Sequence, residues 1–150
     1  MGKNLIHNAK FIKCSKDTKE EIHGFCGHGW YRNTQKVNGY YTCTVLDQFP
    51  YPAIQTYVDK IDTQEKRVLL YGYTIRALQV TEVCFVVTFF HHETIIGEKR
   101  KEITQQIKWY YRPIMEKFVL PKDCTAVQVS LHIEQPTKGC SFFAPTVYVF

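Results

Sequence analysis

The sequence predicts an all-β protein, a β-sandwich of jelly-roll type with about 8–10 short antiparallel strands. Three observations carry this expectation. Within residues 109–150, Val127, Val129, Leu131 and Ile133 alternate with Gln128, Ser130, His132 and Glu134, and a period of two is a strand with one buried face. Turn chemistry separates the apolar runs, at Asn38-Gly39, Pro121-Lys122-Asp123 and Pro136-Thr137-Lys138-Gly139. Ten Phe, ten Tyr and two Trp enrich the chain in residues that fit a pleated, half-buried surface.

The elements follow in order. Residues 4–11 read as a short opening strand. Residues 12–28 hold no period and read as a loop, with one helical turn around 16–22. Trp30-Tyr31 begins a second strand, and 39–46 form a third after the Asn-Gly turn. Residues 47–66, with Pro50 and Pro52, are a long connection containing a strand at 54–58. Strands at 68–77, 83–90 and 94–96 come next. Lys99-Arg100-Lys101 reads as a solvated loop, residues 102–107 alternate weakly, and three alternating runs in 109–150 complete the chain. Helical periodicity persists nowhere, so βα units are not expected.

A length of 150 residues fits a single domain, 1–150, able to bury a core without staples. The net charge of +5 is spread along the chain, which argues against a nucleic-acid partner. No run reaches the ~18 apolar residues of a membrane span, so no membrane partner is expected. The N-terminal residues lack the apolar stretch and cleavage site of a secretory signal. That leaves a cytoplasmic or phage-associated protein, or a domain excised from a secreted one. The six cysteines form no readable framework, and reduced thiols are expected.

Catalytic motifs are missing: there is no Gly-x-Ser-x-Gly, P-loop or His-Glu-x-x-His, and a non-enzyme is expected. His23, Cys26 and His28 make a compact cluster of zinc-type ligands. A structural zinc site shows two paired ligand motifs, so the cluster reads as incidental to a Gly-rich loop, and no metal or cofactor is assigned.

Asn4-Leu5-Ile6 with Asn8 and Phe11, then Gly29-Trp30, resembles the opening of the galactose-binding-like jelly-roll carbohydrate-binding modules of the family 4/9/22 type. The strand at 68–77, the strand at 83–90, and Trp109, Phe118, Leu120-Pro121 and 127–133 are similar to the family's later motifs in order and spacing. The resemblance implies the jelly-roll fold, non-catalytic binding of a polysaccharide or glycan, and a core position for Trp109. The sequence departs from the family at Ile12 and at Ala144-Pro145, where acids that help hold a structural calcium are usual. Calcium needs several hard oxygen ligands, so the usual site is expected to be absent or rebuilt from backbone carbonyls.

A sugar ring lays an apolar face on aromatic rings and directs hydroxyls to polar groups. Tyr71, Tyr73 and Ile75 should form the core face of their strand. Leu70, Gly72, Thr74 and Arg76 would then face a groove on the concave side of one sheet, with Gly72 leaving room. Of His91-His92, one ring should face each side of the sheet. The pair reads either as a strand end entering a turn or as the rim of a groove. The residues assigned to ligand contact are Trp30, Tyr40, Tyr41, Arg76, His92 and Arg112. The rival reading is a structural or protein-interaction module, such as a phage tail or surface-assembly domain. A small β-sandwich enzyme would require a pocket of close, perturbed acids or a bound metal.

Overall fold

The computed structural model describes residues 3–14, 22–47 and 52–150. Among these residues nine strands form two antiparallel sheets: β1 (Trp30–Val37), β2 (Tyr40–Val45), β3 (Ala53–Val58), β4 (Val68–Arg76), β5 (Glu82–His91), β6 (Thr94–Glu102), β7 (Arg112–Val119), β8 (Ala126–Gln135) and β9 (Ser141–Val149). The five-stranded sheet runs β1-β2-β9-β4-β7 and the four-stranded sheet β3-β8-β5-β6. The C-terminal strand thus lies between β2 and β4, and the two sheets face each other as a jelly-roll sandwich. Among the described residues the helical content is one 3-10 turn, Thr104–Gln106, and no helix is long and apolar enough to cross a membrane.

Alternation sets the register. On β4, Leu69, Tyr71, Tyr73 and Ile75 are buried, and on β8, Val127, Val129, Leu131 and Ile133 are buried, as the period of two requires. The sheets meet through aromatic rings. Phe85 on β5 lies 5.1 Å from Tyr71 and 5.9 Å from Tyr73, and Tyr73 lies 5.3 Å from Phe142 on β9. The Tyr71 and Tyr73 hydroxyls are 2.7 Å apart, so each buried phenol finds its partner in the other. Burial pushes both phenols up in pKa.

Asn38 (φ 52°) and Gly39 (φ 83°) both take the left-handed conformation, which is the tight hairpin expected of Asn-Gly. A second irregularity has no sequence signature. Phe142 and Val147 are both buried, yet five residues apart they should lie on opposite faces. The register between β4 and β9 slips between Gly72 and Thr74, and Ala144 takes φ 54°. The extra residue of this bulge restores the inward direction.

Several expectations are corrected. Residues 4–11 form no strand; Asn4 instead ties the segment to β9 by side-chain hydrogen bonds to Pro145 and Val147. The helical turn expected over 16–22 falls, except for Ile22, outside the described residues. Lys99, Arg100 and Lys101 are in β6, an exposed edge strand, where charge discourages pairing with another chain. Residues 102–107 finish β6 and enter the 3-10 turn. Gly72 leaves no room: a Cβ there would sit 1.8 Å from the Ile114 carbonyl oxygen and 2.7 Å from Met115 Sδ. Trp109 is 71% exposed, because it precedes β7 and lies edge-on to Tyr110 at 5.1 Å rather than under a sheet.

Candidate ligand groove

The outward positions of the five-stranded sheet carry a row of small polar side chains. On β2, Cys43 and Val45 point into the core, which turns Tyr40, Thr42 and Thr44 outward. Thr44 is the register partner of Ser141 on β9, and Ser141 is that of Arg76 on β4. Cross-strand partners share a face, so these residues form one line across three strands.

Hydrogen bonds fix the line. Asn33 Nδ2 donates to Thr42 Oγ1 and to Thr44 Oγ1, both at 2.8 Å. Thr44 Oγ1 lies 3.3 Å from Ser141 Oγ. The Asn33 amide spends both N–H groups on the threonines and keeps its carbonyl oxygen as an acceptor. The threonine hydroxyls accept from it and keep their own protons to donate. At the far end, the Arg76 guanidinium lies 4.5 Å from the centre of the Tyr111 ring, a stacked cation–π arrangement. Asn33, Thr42, Thr44, Ser141, Arg76 and Tyr111 are among the residues lining a groove of about 380 Å³.

An aromatic floor adjoins it. Phe143 is outward-facing yet buried, because Tyr40 at 5.7 Å and Tyr111 at 5.1 Å cover it on two sides. Among the described residues, the groove lining contains one formal charge, Arg76, and no carboxylate.

The residues singled out in the sequence divide. Arg76 lines the groove and Tyr40 stands beside it. Trp30, the partner of Val45, points inward and is 1% exposed, so it has no face to offer a ligand. Tyr41 points to the opposite side of β2, where Arg32 lies 4.3 Å and Lys36 4.8 Å from its ring. Arg112 is the register partner of the buried Ile75, which sets it on the other face from Arg76. His92 belongs to the hairpin between β5 and β6 on the other sheet. Its φ is 52°, its N–H donates to Thr125 Oγ1, and its ring packs 4.4 Å from that of His91. Both histidines are exposed, His91 ending β5 and His92 opening the turn.

Asn33, Thr42, Thr44, Tyr111, Ser141 and Phe143 were not singled out. The Thr-Cys-Thr alternation at 42–44 is the sequence signal for two of them. Phe143 has none, since the bulge after it hides its direction.

The perturbed titratable groups lie away from the groove lining. Burial drives the Cys43 thiol far up in pKa despite the nearby Arg32. Burial, with Asp47 adding to it, pushes Cys140 up to about 12. His132, whose pKa is lowered, is on the four-stranded sheet. Of the His/Cys cluster, Cys26 exchanges backbone hydrogen bonds with Gln55. A Cβ at Gly27 would lie 1.4 Å from the Ala53 carbonyl oxygen, so that glycine serves a close approach of backbones. Among the described residues no group of three or more His, Cys, Asp or Glu could hold a metal ion.

No protein-family model matches the chain, and no curated protein matches it in sequence. Solved structures do match in fold. The enzymatically active domain of tailspike protein 4 from bacteriophage CBA120 aligns over 98% of this chain with a TM-score of 0.68 and 9% identity. The chain spans about a fifth of that domain's length, 21%. TmCBM61, solved in complex with β-1,4-galactotriose, aligns over 99% of this chain and 100% of its own, with a TM-score of 0.63 and 10% identity. The CBM22-1 and GH10 modules of xylanase 10B from Clostridium thermocellum, complexed with xylohexaose, align over 99% of this chain and 29% of theirs, at 0.60 and 15%. The fold is therefore the β-sandwich jelly roll found in carbohydrate-binding modules.

Proposed function

We propose that residues 1–150 form one non-catalytic carbohydrate-binding domain, holding a polysaccharide or glycan in the groove on the outer face of the five-stranded sheet. The observation that carries this reading is the prearranged polar line Asn33–Thr44–Ser141 ending at Arg76 on Tyr111. It offers donors and acceptors at successive strands, with an aromatic ring beside them, and such a site has little left to order when a sugar arrives. Arg76, Tyr111 and Tyr40 are the contact residues of this reading. A lining that carries no carboxylate among the described residues supports binding rather than hydrolysis, since glycoside cleavage relies on a facing acid pair. The sugar-bound neighbours share the fold and add to its plausibility.

Affinity electrophoresis against a panel of soluble polysaccharides, followed by calorimetry on any that retard the protein, tests this. Retardation by at least one polymer, lost in Tyr111→Ala, is the expected result. Migration unaffected by every polymer, or retardation equal in the variant, counts against the groove.

The likeness to the tailspike domain favours a second reading, a structural module of a fibre or surface assembly. A trimer in light scattering, with no polysaccharide bound, would support it over the first.

A further inference from the structure

We infer that the glycan taken by the groove is anionic and carries carboxylates, as a uronate-containing polysaccharide does; this rests on the groove being the binding site. Among the described residues, Arg76 is the only formal charge of the lining, and it has no counter-ion there. Among the described residues the ion pairs are those of Glu134 with Arg100 and His132, on β6 and β8 of the other sheet. Arg76 is exposed and donates no side-chain hydrogen bond among the described residues. Its five N–H donors are therefore free for a ligand.

The Arg76 guanidinium lies over the Tyr111 ring at 4.5 Å, a cation–π contact that holds it beside the groove. A planar fork of donors matches a planar carboxylate with two parallel hydrogen bonds, shorter and stronger than those to a neutral hydroxyl. Apart from Val37, the remaining lining is hydroxyl and amide, which can serve the neutral hydroxyls of the same sugar. A guanidinium can donate to the hydroxyls of an uncharged sugar as well, but only an acidic sugar also neutralises its charge.

The experiment is calorimetric titration of the whole chain with polygalacturonate, alginate, methyl-esterified polygalacturonate, neutral galactan and xylan, and dextran sulfate. Arg76→Gln, Arg76→Lys and Lys99→Gln are tested in parallel, with circular dichroism confirming their fold. The proposal expects binding to at least one uronate polymer and at least about tenfold weaker binding after Arg76→Gln. It expects a smaller loss for Arg76→Lys and no change for Lys99→Gln. For a pectic ligand, esterification abolishes binding. Neutral polymers bound as tightly as uronates, with Arg76→Gln without effect, overturn the acidic ligand but leave the groove standing. Dextran sulfate bound in place of uronates overturns the carboxylate assignment. Uronate binding that Arg76→Gln leaves intact overturns it as well, as attraction to the protein's overall charge. Binding to none of the polymers overturns both this inference and the groove reading.

Discussion

Asn4 Oδ1 accepts the backbone N–H of Val147 at 3.0 Å, and Asn4 Nδ2 donates to the Pro145 carbonyl oxygen at 3.1 Å. One side chain thus joins the N-terminal segment to the last strand, beside the Ala144 bulge. The same Oδ1 accepts the Ile6 N–H at 3.1 Å. A partly buried hydrogen bond contributes roughly 1 kcal/mol, and an abandoned buried partner costs more. Asn4→Ala is expected to lower stability by about 1–3 kcal/mol, read as a fall in the denaturation midpoint at unchanged slope. Asn4→Asp keeps the acceptor and loses the donor, so it should fall between. An unchanged midpoint for Asn4→Ala would show that the segment is not held by this residue.

The two tryptophans give separate optical signals. Trp30 is in the core and Trp109 is exposed. Trp109→Phe should leave a blue-shifted emission that acrylamide quenches weakly, with stability changed by less than about 0.5 kcal/mol. Trp30→Phe should leave a red-shifted, readily quenched emission and cost about 1–3 kcal/mol from the space it opens. Equal quenching of the two variants would contradict the placement of both side chains.

At Gly72, β4 lies close against the β7 backbone. Gly72→Ala would drive its Cβ against the Ile114 carbonyl oxygen and Met115 Sδ. Backbone cannot yield as a flexible side chain can, so the cost should be at least about 1–3 kcal/mol. Gly39→Ala tests a different effect: a Cβ there meets nothing within 4 Å, and only its positive φ is penalised, at roughly 1 kcal/mol. Urea denaturation of both variants should rank Gly72→Ala as the more damaging, and the reverse order would refute this view of the β4–β7 approach.

The sequence disclosed most of the strands because alternation is a direct consequence of the pleat. Leu70 to Arg76 and Val127 to Glu134 could be assigned to faces without the fold. The groove was only partly legible. Arg76 could be placed because it extends a clean alternation, whereas Trp30 was misassigned because an aromatic suits a core as well as a sugar. Tyr40-Tyr41 put one ring on each face, and the burial of Cys43 and Val45 on the same strand shows which is outward. The direction of Phe143 depends on the bulge at Ala144, a tertiary accommodation that no residue type announces. Trp109 was expected inside by likeness to a family, and its loop sets it outside.

His132 supplies a pH signature. Burial first, and Arg100 second, hold its imidazole below the ordinary 6.5, with Glu98 acting in the opposite direction. Glu134 Oε1 lies 3.6 Å from His132 Nδ1, but Arg100 already pairs with that carboxylate. Because the folded value is depressed, the unfolded chain binds the proton more readily. The stability contributed by neutral His132 is present above about 6.5 and is lost as pH falls through the folded value. The denaturation midpoint should therefore decline below pH ~6.5, and His132→Gln should flatten that decline. An undiminished slope in the variant would place its source elsewhere.

The groove itself is tested most directly by amide chemical-shift mapping. Nitrogen-15-labelled protein is titrated with whichever polysaccharide fragment binds in solution. The largest shifts are expected to cluster at Asn33, Thr42, Thr44, Arg76, Tyr111 and Ser141, with His92, Tyr41 and the four-stranded sheet unmoved. Shifts concentrated on the β5–β6 hairpin or the outer face of β3, β8 and β5 would contradict it.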